Sequence, residues 1–320
     1  MAETARGFYE TLKFIYETTY GVKPTITAGT TIALPFISNG LGLDENMITS
    51  EVIRAGKRWA QAPAFGNVNA SGDIVVPVEA VAFGYWLTMN FGAPTTTGSS
   101  APYTHVFKPV NDNPSMWLEG GFADKNLYFQ WTGLKVNKMS FNFQVNQEMN
   151  ATMSMIGKDE ITATSTVDAS PVVPAYRKFQ AKDIVLKQGG SAIATAMNCT
   201  INVEQGIAED QYTLSSNGRR VEAPEGMLKV NGSATMLFRD LTYYNMAKNN
   251  TETSIEITMT RGNDTLTFLL PEVVFPQKPV SRNGAGPVNY NIEFEAYWQD
   301  SSENAPIVVT LINDQTSYAL

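Results

Sequence analysis

The chain has 320 residues, 43% apolar and only 17% charged, with a formal net charge of −8 and a pI near 4.9. That length suits one large all-β domain or two ordinary ones, with enough apolar side chains for a packed core. The acidic balance argues against tight nucleic-acid binding, which needs basic patches against phosphates, and a single cysteine, Cys199, excludes an intramolecular disulfide framework.

Residues 1–21 are polar and mixed in charge, without the basic start and apolar centre of a signal peptide. Thr4 to Thr19 is expected to be helical. The mostly apolar dozen Glu79 to Asn90 is expected to form a second helix. Met139 to Val145 alternates apolar and polar residues strictly, which predicts a strand with one face on a core, and Met149 to Ile156 is a further strand. Asp168 to Pro174 carries two prolines and reads as the linker between two domains, residues 1–167 and 175–320. Arg239 to Asn249 has Leu241, Tyr244 and Ala247 or Lys248 at helical spacing, with Asp240 placed to favour the first turn. A Gly262-Asn263-Asp264 turn introduces a strand at Thr265 to Leu270; Val288 to Ala296 alternates, and Pro306 to Ile312 is the last strand. The fold class is therefore mainly β with a minor helical part. No apolar run approaches the roughly 18 residues of a membrane span, so no membrane partner is expected.

An internal repeat organises these elements. Gly66 to Val78 matches Gly226 to Phe238 without a gap, at a displacement of 160 residues. Val68, Ala70, Ile74, Val76 and Val78 fall on Leu228, Val230, Ala234, Met236 and Phe238, and Gly66 and Gly72 fall on Gly226 and Gly232. A proline precedes each segment (Pro63, Pro224), as does a basic pair (Lys57-Arg58, Arg219-Arg220), and each runs into one of the helices at 79–90 and 239–249. This points to an ancestral duplication.

Catalytic chemistry has little material. His105 is the one histidine, in the strand-like run Tyr103 to Phe107, and it lies far from Cys199 in sequence. A zinc site, a Cys-His pair or a Ser-His-Asp triad is therefore not expected, and no phosphate-cradling glycine loop is present. Glu293 and Glu295 alternate along a strand, as on a solvated face. We expect no enzyme, no metal and no cofactor.

The ordered series Glu17 to Gly21, Ile48 to Arg54, Gly66 to Gly72, Tyr103 to Phe107, Met116 to Glu119, Trp131 to Ser140 and Met153 to Lys158 resembles the major tail tube proteins of long-tailed, siphovirus-type phages. Thr200 to Val203, Gln211 to Leu214, Gly226 to Gly232 and Leu269 to Pro271 extend the resemblance over nearly the whole chain. It implies tandem β-sandwich or barrel modules, each with a flanking helix, whose inner strands join those of neighbours around a lumen. Rings usually present six modules, so a two-module chain implies trimers with pseudo-sixfold symmetry. The implied partners are further copies, a tape-measure protein in the lumen, tail terminator and distal tail proteins, and double-stranded DNA in transit. The implied location is the virion tail, assembled in the host cytoplasm. Candidate stacking elements are the N-terminal segment to about Asn46, residues 92–102 and the tail after Gln299.

A channel through which DNA slides needs polar faces poor in lysine and arginine. Asn142, Gln144, Asn150, Thr152, Asn289, Asn291, Glu293 and Glu295 supply such faces and are the candidate lumen-facing residues. The alternatives are a β-sandwich binding or adhesin-like module, and a tail terminator or distal tail ring.

Overall fold

Alternation of β-branched and aromatic residues with small polar ones, interrupted by Gly and Asn turns, makes this chain a sheet protein. The computed structural model describes residues 4–52, 55–56, 58–282 and 284–318. Ile53, Arg54 and Lys57 of the series and basic pair noted above lie outside the described residues.

The first half holds β1 (Glu10–Tyr16), β2 (Ile32–Ala33), β3 (Ser38–Asn39), β4 (Gly42–Ile48), β5 (Ala64–Pro77), helix α1 (Phe83–Phe91), β6 (Thr95–Thr97), β7 (Tyr103–Phe107), β8 (Met116–Phe122), β9 (Leu127–Gln144), β10 (Asn150–Gly157) and β11 (Asp159–Ala163). The second half holds β12 (Ile184–Gln188), β13 (Ser191–Ala192), β14 (Ala196–Glu204), β15 (Lys229–Leu237), helix α2 (Thr242–Lys248), β16 (Thr253–Arg261), β17 (Asp264–Val274), β18 (Asn289–Tyr297) and β19 (Val308–Asn313).

All strand pairs are antiparallel. One layer runs β4, β5, β10, β9, β14, β15, β18. A second runs β2, β1, β8, β9, β11, so the 18-residue strand β9 serves both. A third packs β12 and β16 against β17, then β19 and β7. The apolar faces meet in one core cluster that spans both halves.

The expected strands and both later helices form. The N-terminal helix does not: among residues 4–19 only Gly7–Tyr9 makes a helical turn, a 3-10 one, and Glu10 to Tyr16 is β1, bonded along its length to β8. Leu12 and Phe14 are buried at period two, and the β-preferring Thr11, Phe14, Ile15 and Tyr16 override the helical spacing. Helix α1 is buried on every side, which explains why its sequence is uniformly apolar. Asp240 accepts a hydrogen bond from the Thr242 amide at 2.8 Å at the start of α2, and that bond holds its carboxyl below the usual range.

Asp168, at the start of the proline-rich connection, is buried. Its carboxylate accepts bonds from the Thr31 hydroxyl (2.8 Å) and from the amides of Ser170, Thr31 and Gly29. Burial raises its pKa, but these donors outweigh burial and hold it at about 2. Val172 bridges Ile32, so the connection is pinned to the first half.

Candidate assembly surfaces

The 160-residue repeat is a repeat of strand register. Ser38 pairs with Val75 and Asn39 with Ile74, as Asn198 pairs with Thr235 and Cys199 with Ala234. Leu43 faces Ala70 as Val203 faces Val230. Three of the four repeat glycines, Gly72, Gly226 and Gly232, have a steric reason, and Gly66 keeps the same facing residue at a looser distance. A Cβ on Gly72 would stand 2.2 Å from the Gly40 carbonyl oxygen, and one on Gly232 would stand 2.1 Å from that of Thr200. A Cβ on Gly226 would stand 2.4 Å from the Gly206 carbonyl oxygen, and one on Gly66 3.4 Å from that of Asn46. Each facing residue is again displaced by 160. The third strands match too: β10 pairs β5 as β18 pairs β15, with Asn150 opposite Pro77 and Asn289 opposite Leu237.

The first copy, β4-β5-β10-β9, joins the second, β14-β15-β18, through seven register pairs between β9 and β14. Gln205 donates from its amide to the carbonyl oxygen (2.8 Å) and side-chain oxygen (3.1 Å) of Asn90 at the end of α1. Lys138 and Glu204 form an ion pair at 2.9 Å, and Ser140 donates to Asn202 at 2.8 Å. Residues 207–223 then fold back over the first half. Buried Arg220 donates to the carbonyls of Glu209 (2.8 Å) and Gly157 and to Asn69 (2.9 Å), and Arg219 pairs with Asp159 at 2.6 Å. The basic pair seen in the sequence thus fastens the two halves together.

The structure brings all eight candidate lumen residues onto one face of this layer. Asn150 faces Asn142; Asn142 faces Thr200; Thr200 faces Ser233; Ser233 faces Glu293. On one side of this row Thr152, Ser140, Asn202, Asn231 and Glu295 succeed one another; on its other side lie Gln144, Asn198, Thr235 and Asn291, with Asn289 next along β18. Asn142, Asn289, Asn291, Glu293 and Glu295 are exposed; Gln144, Asn150 and Thr152 are half-buried. Bonds between amides and hydroxyls, Asn202 to Asn231 (3.1 Å) and Thr235 to Asn291 (2.7 Å), order the face without positive charge. Its charges are Asp44, Asp73, Glu204, Glu293 and Glu295 against Lys138 and Lys229, so it leans acidic. Lys278, from outside the layer, pairs with Glu293 at 2.8 Å, a partner the alternation of residues 288–296 gave no sign of.

Residues singled out for chemistry have packing roles. His105 is buried in β7, with Nδ1 2.9 Å from the Thr96 hydroxyl and Nε2 2.9 Å from the Gln315 carbonyl oxygen, and burial lowers its pKa. Cys199 is buried in β14 and its thiol is pushed up to about 12 by burial. Among the described residues no three His, Cys, Asp or Glu side chains group as metal ligands.

Two sheet edges are incomplete. Among the described residues β4 pairs only with β5, and β18 meets β17 only at its last three residues. A duplicated layer with a polar, acid-leaning face and an open edge at each end defines a structural protein built to continue into copies of itself. A family model described as phage tail tube protein matches residues 10–296, and the chain belongs to that family. No curated protein matches it. The chain is thus a structural component of a virion tail that self-assembles into a tube.

Proposed function

We propose that three copies of this chain close one ring of a siphovirus-type tail tube, with residues 1–167 and 175–320 as two equivalent modules, and that stacked rings form the conduit for genome delivery. The observation that carries this reading is the shared register of the two halves within one chain, and the same geometry applied between chains would continue the sheet. Closure into a barrel removes the open edges, which otherwise invite wrong pairing. Six modules per ring then need three chains.

The polar face carrying Asn142, Asn150, Thr152, Asn289, Asn291, Glu293 and Glu295 lines the lumen. Carboxylates outnumber the lysines there, and Lys138 and Lys278 are paired with Glu204 and Glu293, so phosphates find few free cations and DNA passes without tight binding. A tape-measure protein occupies the lumen before DNA does, terminator and distal tail proteins cap the ends, and assembly takes place in the host cytoplasm. The chain has no catalytic role.

Electron microscopy of the purified protein tests the reading. Tubes or stacked rings are the expected result, with Glu293 and Glu295 facing the channel in the reconstructed map. Dispersed monomers, or a channel ringed by lysines, would overturn it.

A further inference from the structure

Among the described residues, the second half lacks a strand that the first half has. Strands β9 and β10 form a hairpin whose equivalent is displaced by 139 residues: Ile156 faces Lys135 as Glu295 faces Val274. No gap separates the two stretches, and the turn at residues 145–146 falls on the turn at 284–285. In the first half the hairpin stays paired up to Asn150 and Asn142. In the second, pairing stops at Val274, and residues 275–282 run irregularly. They nevertheless lie beside β18. Lys278 pairs with Glu293 at 2.8 Å, the Tyr290 hydroxyl donates to the Lys278 carbonyl oxygen at 3.5 Å, and Gln277 donates to the Tyr244 hydroxyl at 3.1 Å. Val280 packs on the core, as its counterpart Phe141 does.

Two prolines explain the interruption. Pro276 and Pro279 stand where β9 has Asn137 and Ser140, and each lacks an amide donor. Asn137 sits at the β-bulge in the β9–β10 pairing, a place that tolerates proline, but Ser140 is paired on both sides. Strand β9 is held between β10 and β14, whereas residues 275–282 have β18 alone. With β18 as its one neighbouring strand, this segment has too few ladder bonds to offset the amide donor that each proline removes; a second neighbour adds bonds through the remaining amides and carbonyls.

At the other end, β4 has the place in the first half that β14 has in the second. The residues that follow differ in their cover. Residues 207–223 fold over the first half, with Ile207 and Ala223 buried, while Met47, Ile48, Val52 and Phe65 are each more than half exposed. Those apolar side chains are left largely uncovered within the single chain.

We propose that residues 275–282 are a latent strand: on assembly they complete the ladder beside β18 and receive β4 of a second copy on their outer edge, reproducing between chains the β9–β14 seam found within one. The proposal rests on the self-assembly reading and names its seam. It makes an edge that is unready in the single chain and forms only against the correct partner, which guards a polymerising protein against indiscriminate edge pairing.

The internal seam fixes the register. Ser140 faces Asn202, so Pro279 faces Gly42 of the next copy. A side chain at Gly42 meets nothing within 4 Å, so a cysteine fits there. The test oxidises assembled tubes of the double variant Gly42→Cys/Pro279→Cys, beside the control Ser140→Cys/Asn202→Cys. The expected result is covalently closed multimers from the first and a bond within single chains from the second. Tubes that form without the 42–279 bond, while the control closes, overturn the seam and leave the tube reading standing. Absence of tubes from the unaltered protein overturns both. Should the double variant alone fail to assemble, amide hydrogen exchange of the unaltered protein decides: exchange across residues 275–282 is expected to slow at least about tenfold from free chain to tube, and unchanged exchange overturns the seam.

Discussion

The hydroxyl of Tyr318 donates to the carbonyl oxygen of Val81 at 2.6 Å, joining the end of the second half to the segment that leads into α1. Asn313 donates to the same hydroxyl at 2.7 Å and to the Ala80 carbonyl oxygen at 2.6 Å. The Tyr318 ring fills the space over Gly84, where an added Cβ would meet it at 2.2 Å. Residues beyond Gln299, expected from sequence as a stacking tail, thus include a buried strand, β19, and a plug in the first half. Tyr318→Ala is expected to cost about 3–5 kcal/mol, as for other large buried aromatic rings, and Tyr318→Phe about 1–2 kcal/mol through the lost hydroxyl. Urea unfolding of both variants checks the order and the size.

Glu79 gives the protein a pH signature. Its buried carboxylate accepts from the amides of Val81 (2.8 Å) and Phe83 (2.5 Å) and, more weakly, from that of Arg177 (3.4 Å). Burial outweighs these donors and raises its pKa from 4.5 to about 7. An acid whose pKa is higher folded than unfolded binds its proton more tightly when folded. Its contribution is therefore greatest below pH 4.5, declines as pH rises to about 7 and is flat above, a span of roughly 3 kcal/mol at 1.36 kcal/mol per unit. Glu79→Gln is expected to flatten the stability curve between those limits. Denaturation midpoints at half-unit steps of pH check it; a variant curve parallel to that of the unaltered protein would contradict it.

The repeat glycines separate sterically from their neighbours. Gly72→Ala and Gly232→Ala each force a methyl against a backbone carbonyl and are expected to lower stability by about 1–3 kcal/mol. Gly42→Ala, in open space, is expected to change it by less than about 0.5 kcal/mol. Thermal unfolding of the three variants makes the comparison.

The polar face predicts a functional phenotype without a folding one. Asn291 and Glu295 are exposed and take no part in holding residues 275–282, so Asn291→Lys/Glu295→Lys is expected to leave the chain folded and able to form tubes. It places lysines in the channel, and genome release from particles carrying it is expected to slow, most of all at low salt. Release that is unaltered at every salt concentration would remove these residues from the lumen.

Much of this fold was legible because period-two alternation survives in β10, β15 and β18, where one face meets the core and the other meets solvent. The pair Gly72 and Gly232 was legible as a repeat because a steric demand fixes both. The N-terminal strand was not, since Phe8, Leu12 and Ile15 also satisfy helical spacing and only pairing with β8 decides between them. The linker assignment missed that Asp168 is a buried acceptor for donors from residues 29–31, a contact between segments distant in sequence. The interruption at Pro276 and Pro279 became meaningful only against the register of β9, which strand pairing supplies and composition does not.

The number of chains in one ring tests the central claim most directly. Native mass spectrometry of single rings, with symmetry from electron cryomicroscopy, is expected to give three chains and six nearly equivalent sheets around the channel. Six chains per ring, with each duplicated layer set as one unit under true sixfold symmetry, would contradict it.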